Sequence, residues 1–299
     1  MSAPDLHLFI NPTAGRGRAG KRLPRILELL ADANLEAIVH KSSGVGDLEN
    51  SVRTQVDAGA THLIIAGGDG SIHEAANGIL SSGEDAALGV IPTGTGNDFA
   101  KAAHIPLDWE TATRLLVDRV ASGATPRRID AARMNDRYFA NGAGIGFDAK
   151  VTRIARSYHW PIGDLIYLFA IFRAMTDGIA TPELTIKTDD FEFHGPLTLA
   201  NISNGPWIGG MFHIAPMADN SDGQLELLVV APVTRRRIVS LLPKLMQGLH
   251  MNEDEVTHVS VQRLQIECEE PVPSHLDGEV QPLNTRFEIE ILPEALSLI

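Results

Sequence analysis

The sequence predicts an α/β domain with a parallel sheet followed by a β-rich antiparallel domain. In the first 125 of the 299 residues, short apolar runs alternate with segments of helical periodicity, an order typical of parallel strands joined by crossover helices. Beyond that point apolar and polar residues alternate one by one within most segments, as they do in half-buried antiparallel strands. We therefore expect two domains, 1–125 and 126–299, with the last residues able to pack back on the first domain.

The first domain is predicted from four apolar runs, each followed by a helical segment. Gly59 ends the second predicted helix, and Pro24 suits the first turn of the first one, where its missing N–H is not needed. The predicted strands are 6–11, 36–41, 61–68 and 86–94, and the predicted helices are 20–35, 46–59, 71–83 and 97–104.

The second domain is predicted to hold mainly strands, interrupted by two helical stretches. Its most apolar stretch, 160–175, contains Asp164 and Arg173 and is too short to span a bilayer. We interpret it as a buried helix or as one wall of an apolar pocket. The predicted strands are 183–195, 197–204, 224–232, 260–270 and 285–292, and the helical stretches are 151–178 and 234–249.

The net charge and the composition argue against several classes of function. The net charge of −13 argues against nucleic-acid binding, and any contact with an anionic membrane has to be local. The single cysteine, Cys268, excludes a disulfide framework and a cysteine zinc cluster. The N-terminus has neither the basic region nor the long apolar region of a signal peptide, so a cytoplasmic protein is expected.

Two glycine-rich turns follow predicted strands and open predicted helices, at 67–71 (GGDGS) and 94–98 (GTGND). Glycine lets the backbone approach a phosphate, and a helix N-terminus offers N–H donors to it. Because the carboxyl ends of neighbouring parallel strands form one crevice, both turns are predicted to hold the phosphates of one nucleotide. Asp69 would act through Mg²⁺ or orient a hydroxyl, since a carboxylate repels phosphate.

Two further glycine runs match nucleotide motifs only in part. The run 15–21 (GRGRAGK) has the spacing of a P-loop, but Arg22 stands where a Mg²⁺-binding Ser or Thr is needed, so a flexible basic loop, still able to reach phosphates, is expected. The run 142–146 (GAGIG) lacks the spacing of a dinucleotide fingerprint and is interpreted as a tight strand-to-helix turn.

Two acidic motifs of the second domain each allow two interpretations. In 274–282 (SHLDGEVQP), strand alternation would place Asp277 and Glu279 on one face as a catalytic pair, whereas Asp-Gly is also a common hairpin turn. The phosphate-type turns upstream favour the catalytic pair. In 216–227 (PMADNSDGQLEL), Asp219 and Asp222 suit a small oxygen-lined metal loop or a plain turn.

Together these motifs resemble the diacylglycerol-kinase catalytic family, and most of all its soluble bacterial lipid kinases. NPTAGRG, GGDGS, GTGNDFA, DNSDGQLEL and LDGE occur in the family's order and rough spacing over nearly the whole chain. GGDG alone is shared with NAD kinases and phosphofructokinases, so the first domain is expected to have the fold of those enzymes. The combination of GGDG with the other motifs is more specific for the diacylglycerol-kinase family. Ser71 stands where the family usually has Thr.

The resemblance implies an ATP site in the first domain and a lipid site with a catalytic acid in the second. It places the general base in the motif of Asp277 and Glu279, with Asp69 assisting through Mg²⁺. It also implies a structural Mg²⁺ on the side chain of Asp222 and the carbonyls of Asp219 and Gln224. From the turns and the resemblance, the residues expected to bind ATP or its metal are Asn11, Ser42, Gly67, Gly68, Asp69, Gly70, Ser71, Thr95, Asn97 and Asp98.

The expected function is phosphoryl transfer from ATP to a lipid hydroxyl, such as that of diacylglycerol, by an enzyme whose membrane contact is peripheral. A homodimer is compatible with the sequence. Three alternatives stay open: a kinase for a soluble acceptor such as NAD, a kinase for sphingoid bases or ceramide, and a nucleotide-binding regulator without chemistry. The intact acids at 69, 98, 277 and 279 argue against the regulator.

Overall fold

The computed structural model describes residues 6–158 and 163–299. The chain divides into two compact units, which are treated separately below. The first consists of the residues up to Asp130 together with Glu294–Ile299, and the second of Ala131–Pro293.

The first unit is built on a parallel sheet, as predicted from the alternation of apolar runs and helical segments. Its strands are β1 (Leu6–Ile10), β2 (Ala37–Lys41), β3 (His62–Gly67) and β4 (Ala87–Pro92), and they lie in the order β2-β1-β3-β4. The C-terminal Ser297 and Leu298 add a further parallel pairing on Ala87 and Leu88.

Five helices cover this sheet: α1 (Ala14–Asp32), α2 (Asp47–Asp57), α3 (Asp69–Ser82), α4 (Asp98–Ala102) and α5 (Trp109–Ala121). The core contains fully buried strand residues such as Leu8 and Ile64 packed against α1 and α5. The sequence analysis did not identify α5. Its start is nevertheless marked, because the Asp108 carboxylate accepts the backbone N–H of Thr111 at 2.9 Å, which is a standard N-cap.

The prediction for the first helix was wrong at its N-terminal end. Instead of a flexible loop followed by a helix from residue 20, α1 begins at Ala14 and includes the glycine run, so that Pro24 lies in its interior. The first turn is irregular, since Gly15 and Gly17 have φ angles of 57° and 79°. Glycine tolerates positive φ but is a weak helix former. Because the run 15–21 is rich in glycine, the start of α1 was not predicted from the sequence pattern.

The second unit contains two antiparallel sheets, which confirms the predicted β-rich architecture. One is the row β12-β11-β10-β7-β14-β15, and the other contains β16-β13-β8-β9, with β5 and β6 at its side. β5 begins and β16 ends with residues of the first unit. The strands are β5 (Arg127–Met134), β6 (Arg137–Phe139), β7 (Gly142–Gly146), β8 (Glu183–Lys187), β9 (Glu192–Pro196), β10 (Leu199–Ser203), β11 (Leu225–Val230), β12 (Val256–Val261), β13 (Arg263–Val272), β14 (Ser274–Leu276), β15 (Glu279–Val280) and β16 (Asn284–Leu298).

Side chains from both sheets form one apolar core, in which Ile145, Ile202, Leu227, Ile266 and Phe287 are almost fully buried. This arrangement explains the residue-by-residue alternation, because each strand faces the core on one side only.

Three helices of the second unit form a separate apolar cluster. They are α6 (Phe147–Ser157), α7 (Leu165–Thr176) and α8 (Arg235–Gln247). The single helical stretch predicted over 151–178 is therefore two helices, and residues 159–162 of that prediction lie outside the described residues. The run 142–146, interpreted as a tight strand-to-helix turn, instead forms the buried strand β7, and only its last residue, Gly146 with a φ of 88°, makes the turn into α6.

Candidate active site

The predicted ATP residues of the first unit come together at one edge of its sheet. Asn11 follows β1, Ser42 follows β2, Gly68 follows β3 and Thr93 follows β4. The backbone N–H of Ser42 donates to the carbonyl of Ile10 at 3.0 Å, which fixes Ser42 beside the end of β1. Because all four strands are parallel, these positions share the carboxyl edge, where open α/β sheets bind ligands.

The two glycine turns touch each other through backbone atoms. The N–H of Thr93 donates to the carbonyl of Gly67 at 2.9 Å. A Cβ placed on Gly68 would lie 2.9 Å from the Cα of Gly94, and a Cβ on Gly94 would lie 2.5 Å from the Cα of Gly68. Both distances are too short for any side chain, so glycine is required here for the contact between the turns as well as for the approach of a ligand.

The polar residues of these turns mostly hold the turns themselves. Asp69, the first residue of α3, accepts the backbone N–H of Phe99 at 3.1 Å and so connects α3 to α4. Asn97, with a φ of 50°, accepts the N–H of Gly94 through its amide oxygen at 3.1 Å. Ser71 is buried, whereas Thr95 is exposed.

Asp98 forms an ion pair with Lys101, with 2.9 Å between the carboxylate and the ammonium, and both side chains are largely buried. The charge of Asp98 is already balanced, which makes it a weaker candidate than Asp69 for holding a divalent ion.

The sequence analysis missed Arg18, which lies beside the second glycine turn. Its guanidinium donates to the carbonyls of Gly15 at 2.8 Å and Gly94 at 3.3 Å. Burial, reinforced by the nearby charge of Arg18, lowers the pKa of Arg22, whose guanidinium lies over the ring of Trp109. Arg18 thus places a positive charge at the carboxyl edge of the sheet, which suits a polyphosphate. The signal was present as the G-R-G-R spacing that opens α1.

The Asp-Gly-Glu motif of the second unit forms a hairpin turn between β14 and β15. Asp277 and Gly278 are its two central residues, with φ angles of 49° and 83°, and Leu276 pairs with Glu279. The prediction that Asp277 and Glu279 share one face of a strand is therefore wrong, and the alternative of a hairpin turn is correct. Two positive φ angles match the twist of a tight hairpin, and Asp-Gly adopts them readily.

Within this turn the Asp277 carboxylate is fixed by three backbone donors. It accepts the N–H groups of Ala140 at 3.0 Å, Asn141 at 2.8 Å and Gly142 at 2.9 Å. Its own N–H donates to the carbonyl of Gly142 at 2.7 Å. Such donors stabilise a carboxylate and hold it in one orientation. Glu279, in contrast, forms an ion pair with Arg156 of α6.

A buried acid–histidine pair lies directly behind this turn. The Nε2 atom of His275 is 3.2 Å from a carboxylate oxygen of Asp148, and its Nδ1 accepts the N–H of Gly278 at 3.3 Å. A Cβ on Gly144 would lie 2.2 Å from the Asp148 carboxylate and 2.4 Å from Nε2 of His275. Gly144 of the GAGIG run therefore makes room for the pair, which the sequence analysis did not identify.

An apolar cavity of about 130 Å³ lies among α6, α7, α8 and the adjoining strands of the second unit. Aliphatic and aromatic side chains form most of its wall, and α7 of the apolar stretch contributes Tyr167 and Ile171. Asp148 and His250 are among the few polar residues that line it. Such a lining accepts a hydrocarbon chain and disfavours a polar ligand.

The predicted metal loop at 216–227 has the hydrogen bonds of aspartate turns. Asp219 accepts the N–H and the hydroxyl of Ser221 at 3.0 and 2.7 Å, and Asp222 accepts the N–H of Gln224 at 2.9 Å. Among the described residues, no group of three or more His, Cys, Asp or Glu side chains could hold a metal ion. Binding of an ion by Asp222 and the carbonyls of Asp219 and Gln224 stays a prediction.

No helix within residues 6–158 and 163–299 is long and apolar enough to cross a membrane.

Comparison with known families assigns both units. The model of the diacylglycerol kinase catalytic domain matches residues 5–129. The model of the YegS C-terminal NAD kinase beta sandwich-like domain matches residues 142–299.

Full-length relatives agree with these matches. A Serratia proteamaculans (strain 568) protein named "probable lipid kinase YegS-like" is 33% identical over 98% of this chain and 93% of its own length. The diacylglycerol kinase of Bacillus subtilis (strain 168) is 28% identical over 91% of this chain and 88% of its own length. A crystal structure from Bacillus anthracis str. Sterne, of a candidate diacylglycerol kinase, superimposes with a TM-score of 0.82 at 25% identity, covering 100% of this chain and 98% of that one.

Proposed function

This chain belongs to the family of diacylglycerol kinases and YegS-like lipid kinases, and we propose that it transfers the γ-phosphoryl group of ATP to a hydroxyl of diacylglycerol or a closely related acyl lipid. The observation that carries the choice of a lipid acceptor is the apolar cavity, whose wall includes Val151, Ile171, Leu199 and Leu245. A kinase for a soluble nucleotide such as NAD would need a polar acceptor site instead.

The first unit is assigned the nucleotide. The contact between the turns at Gly68 and Gly94 supports a shared phosphate site, because it brings two stretches of backbone N–H groups to one point of the carboxyl edge. Arg18 supplies positive charge beside Gly94. Asn11, Ser42 and Thr95 complete the assignment at the same edge of the sheet.

Mg²⁺, when bound, neutralises charge on the transferred group. A phosphate-bound Mg²⁺ needs only one or two protein carboxylates, because phosphate oxygens and water supply its other ligands. The residues beside the glycine turns fit such an ion. Asp69 would hold it directly or through water. Asp98, which is paired with Lys101, would have a secondary role.

The second unit is assigned the acceptor and its proton. The acceptor oxygen forms a bond to the γ-phosphorus, the bond from that phosphorus to the bridging oxygen of ADP breaks, and the hydroxyl proton passes to the Asp277 carboxylate. The three N–H donors fix this carboxylate without side-chain motion. Glu279, held by Arg156, assists at the other side of the turn.

A peripheral membrane contact is proposed for the outer face of α7. Leu165, Phe169 and Phe172 are 48%, 50% and 44% exposed, and their spacing places them on one face of the helix. The opposite face of α7 lines the cavity through Tyr167 and Ile171. Arg153 is an exposed cation on α6, the helix that packs against α7, in a protein whose net charge is −13.

The test is phosphorylation of a lipid panel in mixed micelles with ATP and Mg²⁺, comparing diacylglycerol, ceramide, sphingosine and NAD. We expect labelled diacylglycerol as the main product. A tryptophan in place of Leu241, which lines the cavity, should lower lipid phosphorylation and leave ATP binding unchanged. The matched control is Leu115→Trp on the exposed face of α5. Labelling of NAD alone would overturn the proposal.

A further inference from the structure

Tyr167 connects the apolar cavity with the Asp277 turn. Its side chain lines the cavity from α7. A Cβ placed on Gly278, between Asp277 and Glu279, would lie 3.8 Å from the Tyr167 hydroxyl oxygen. One side chain therefore has its ring in the wall of the cavity and its hydroxyl next to the turn to which the phosphoryl acceptor is assigned.

The ring of Tyr167 packs closely against Gly209, and the next residue, Gly210, packs against Asp164 at the start of the same helix. A Cβ on Gly209 would lie 3.1 Å from Cγ of the ring, and a Cβ on Gly210 would lie 2.4 Å from the carboxylate of Asp164. Gly209 and Gly210 have φ angles of 61° and 79°, so their backbone follows a path that other residues rarely adopt. This close packing restricts the ring and hence the position of its hydroxyl.

The chemistry required between cavity and turn follows from the proposed function, on which this inference rests. The hydrocarbon chain of the acceptor lies in the cavity, and the reacting hydroxyl lies at Asp277. In an acylated glycerol the group between them is an ester, whose oxygens only accept hydrogen bonds. Asp148 and Asp277, the carboxylates at this end, are acceptors and cannot bind an ester. A tyrosine hydroxyl can donate to it.

We infer that Tyr167 is a specificity-determining residue whose hydroxyl donates a hydrogen bond to the acyl carbonyl of the acceptor lipid. The substrate class is thereby narrowed to glycerolipids that carry an ester beside the free hydroxyl. Ether-linked glycerols of the same chain length lack this carbonyl and gain nothing from the hydroxyl of Tyr167.

The test combines Tyr167→Phe with two acceptors, dioctanoylglycerol and its ether analogue dioctylglycerol, in the same mixed micelles. The variant keeps the ring and removes the hydroxyl. We expect kcat/KM for the ester to fall about 3- to 10-fold, the range for one neutral hydrogen bond. The loss should appear mainly in KM, because the contact exists before and during transfer. For the ether, kcat/KM should not change.

Tyr138→Phe is the matched control, since Tyr138 lies on β6 and is not part of the cavity wall. It should leave both acceptors unaffected. Melting temperatures of all variants show whether a variant is less well folded. A folding defect would lower kcat/KM for the ester and the ether equally.

Three results would overturn the inference. If Tyr167→Phe lowered kcat/KM equally for the ester and the ether, the hydroxyl would act through the protein itself and not through the acyl carbonyl. No loss on either acceptor would place the ester elsewhere. Labelling of neither lipid by the wild-type protein would remove the proposed function itself, and is distinguished because it does not depend on the variant.

Discussion

The glycine turns of the first unit are held together by backbone, whereas the Asp277 turn of the second unit is held by a side chain. Gly68 and Gly94 meet at a separation that excludes any Cβ. Asp277 instead reaches three N–H groups at Ala140 to Gly142, which lie about 135 residues earlier in the chain. A backbone contact that requires glycine is visible in the sequence as a short motif. A carboxylate contact between residues far apart in the chain is not.

The two aspartates that the mechanism uses also differ. Asp69 accepts one backbone N–H, from Phe99, and its turn is assigned the ATP phosphates. Asp277 accepts three, which fixes both of its oxygens. A base has to be positioned closely against the hydroxyl that it deprotonates, while a carboxylate that holds a metal ion through water tolerates more variation. The difference shows that the carboxylate of Asp277 is held more firmly in position than that of Asp69, and the role of Asp277 as proton acceptor stays a proposal.

The sharpest way to test this comparison is Asp277→Asn. Removal of the general base typically lowers turnover about 10²- to 10⁴-fold, and ATP binding, which is proposed for the first unit, should stay nearly unchanged. Rates should be measured with saturating ATP and diacylglycerol and normalised to folded protein, because an amide places an NH₂ group where three N–H donors converge.

Glu279→Gln is the matched variant for this experiment. It removes a charge from the same hairpin but only breaks the ion pair with Arg156, so its effect should be smaller. If both variants keep turnover close to wild type, the turn has a structural role and the proton goes elsewhere, with Asp98 or solvent as the next candidates.

The second test addresses the backbone contact, through Gly94→Ala. The added Cβ would meet the Cα of Gly68 and the amide oxygen of Asn97 at 2.5 and 2.7 Å, so the two turns must separate. Overpacking of this kind costs about 1–3 kcal/mol, and displaced phosphate donors should weaken ATP binding about 10-fold or more. Calorimetric titration with an ATP analogue measures the affinity.

Gly123→Asn is its control, because that glycine has a positive φ and open space around it, and asparagine tolerates such a φ. If Gly94→Ala lowered the melting temperature but left the affinity for the ATP analogue unchanged, Gly68 and Gly94 would be required only for the packing of the two turns.

The same comparison explains what the sequence could predict. The parallel sheet, the antiparallel strands and the grouping of 67–71 with 94–98 follow from local periodicity and from strand order, which short segments record. The pair of His275 and Asp148 is formed by residues 127 positions apart in the numbering, and neither has a diagnostic neighbour. Arg18 was not predicted as a site residue because the glycine run around it was interpreted as a flexible basic loop.

The turn at Asp277 shows a different limit. The pattern allowed both a strand face and a hairpin turn, and only the φ angles decide between them. The function was assigned through the family resemblance of the whole motif set and did not depend on this choice.

A smaller effect is expected in the loop of Asp219 and Asp222. If Mg²⁺ binds there only in the folded state, it raises the melting temperature, and a concentration 100-fold above Kd contributes about 2.7 kcal/mol. Asp222→Ala should remove that Mg²⁺-dependent increase. Asp189→Ala, at an exposed carboxylate of the same unit, should keep it. If the wild-type melting temperature does not respond to Mg²⁺ in the absence of nucleotide, the loop is an aspartate turn only.

The smallest effect concerns His250, which lines the apolar cavity. Burial, with a contribution from the nearby charge of His213, lowers the pKa of His250 below its ordinary value of 6.5, although its hydrogen bond to the Ile214 carbonyl acts in the opposite direction. In the unfolded chain the imidazole takes up a proton near its ordinary pKa, whereas in the folded protein it stays neutral to lower pH. The unfolded state therefore binds more protons, and stability falls as the pH falls through 6.5.

Going from pH 7.5 to 5.5 should therefore cost the wild-type protein more stability than His250→Gln, which retains a donor for the Ile214 carbonyl and has no proton to gain. Urea unfolding at the two pH values measures the difference. His194→Gln, at an exposed histidine of the same unit, controls for the loss of an imidazole in general. If His250→Gln loses stability with pH as steeply as the wild type, His250 is not the group that titrates, and the cavity wall is protonated, or opens to water, at another residue.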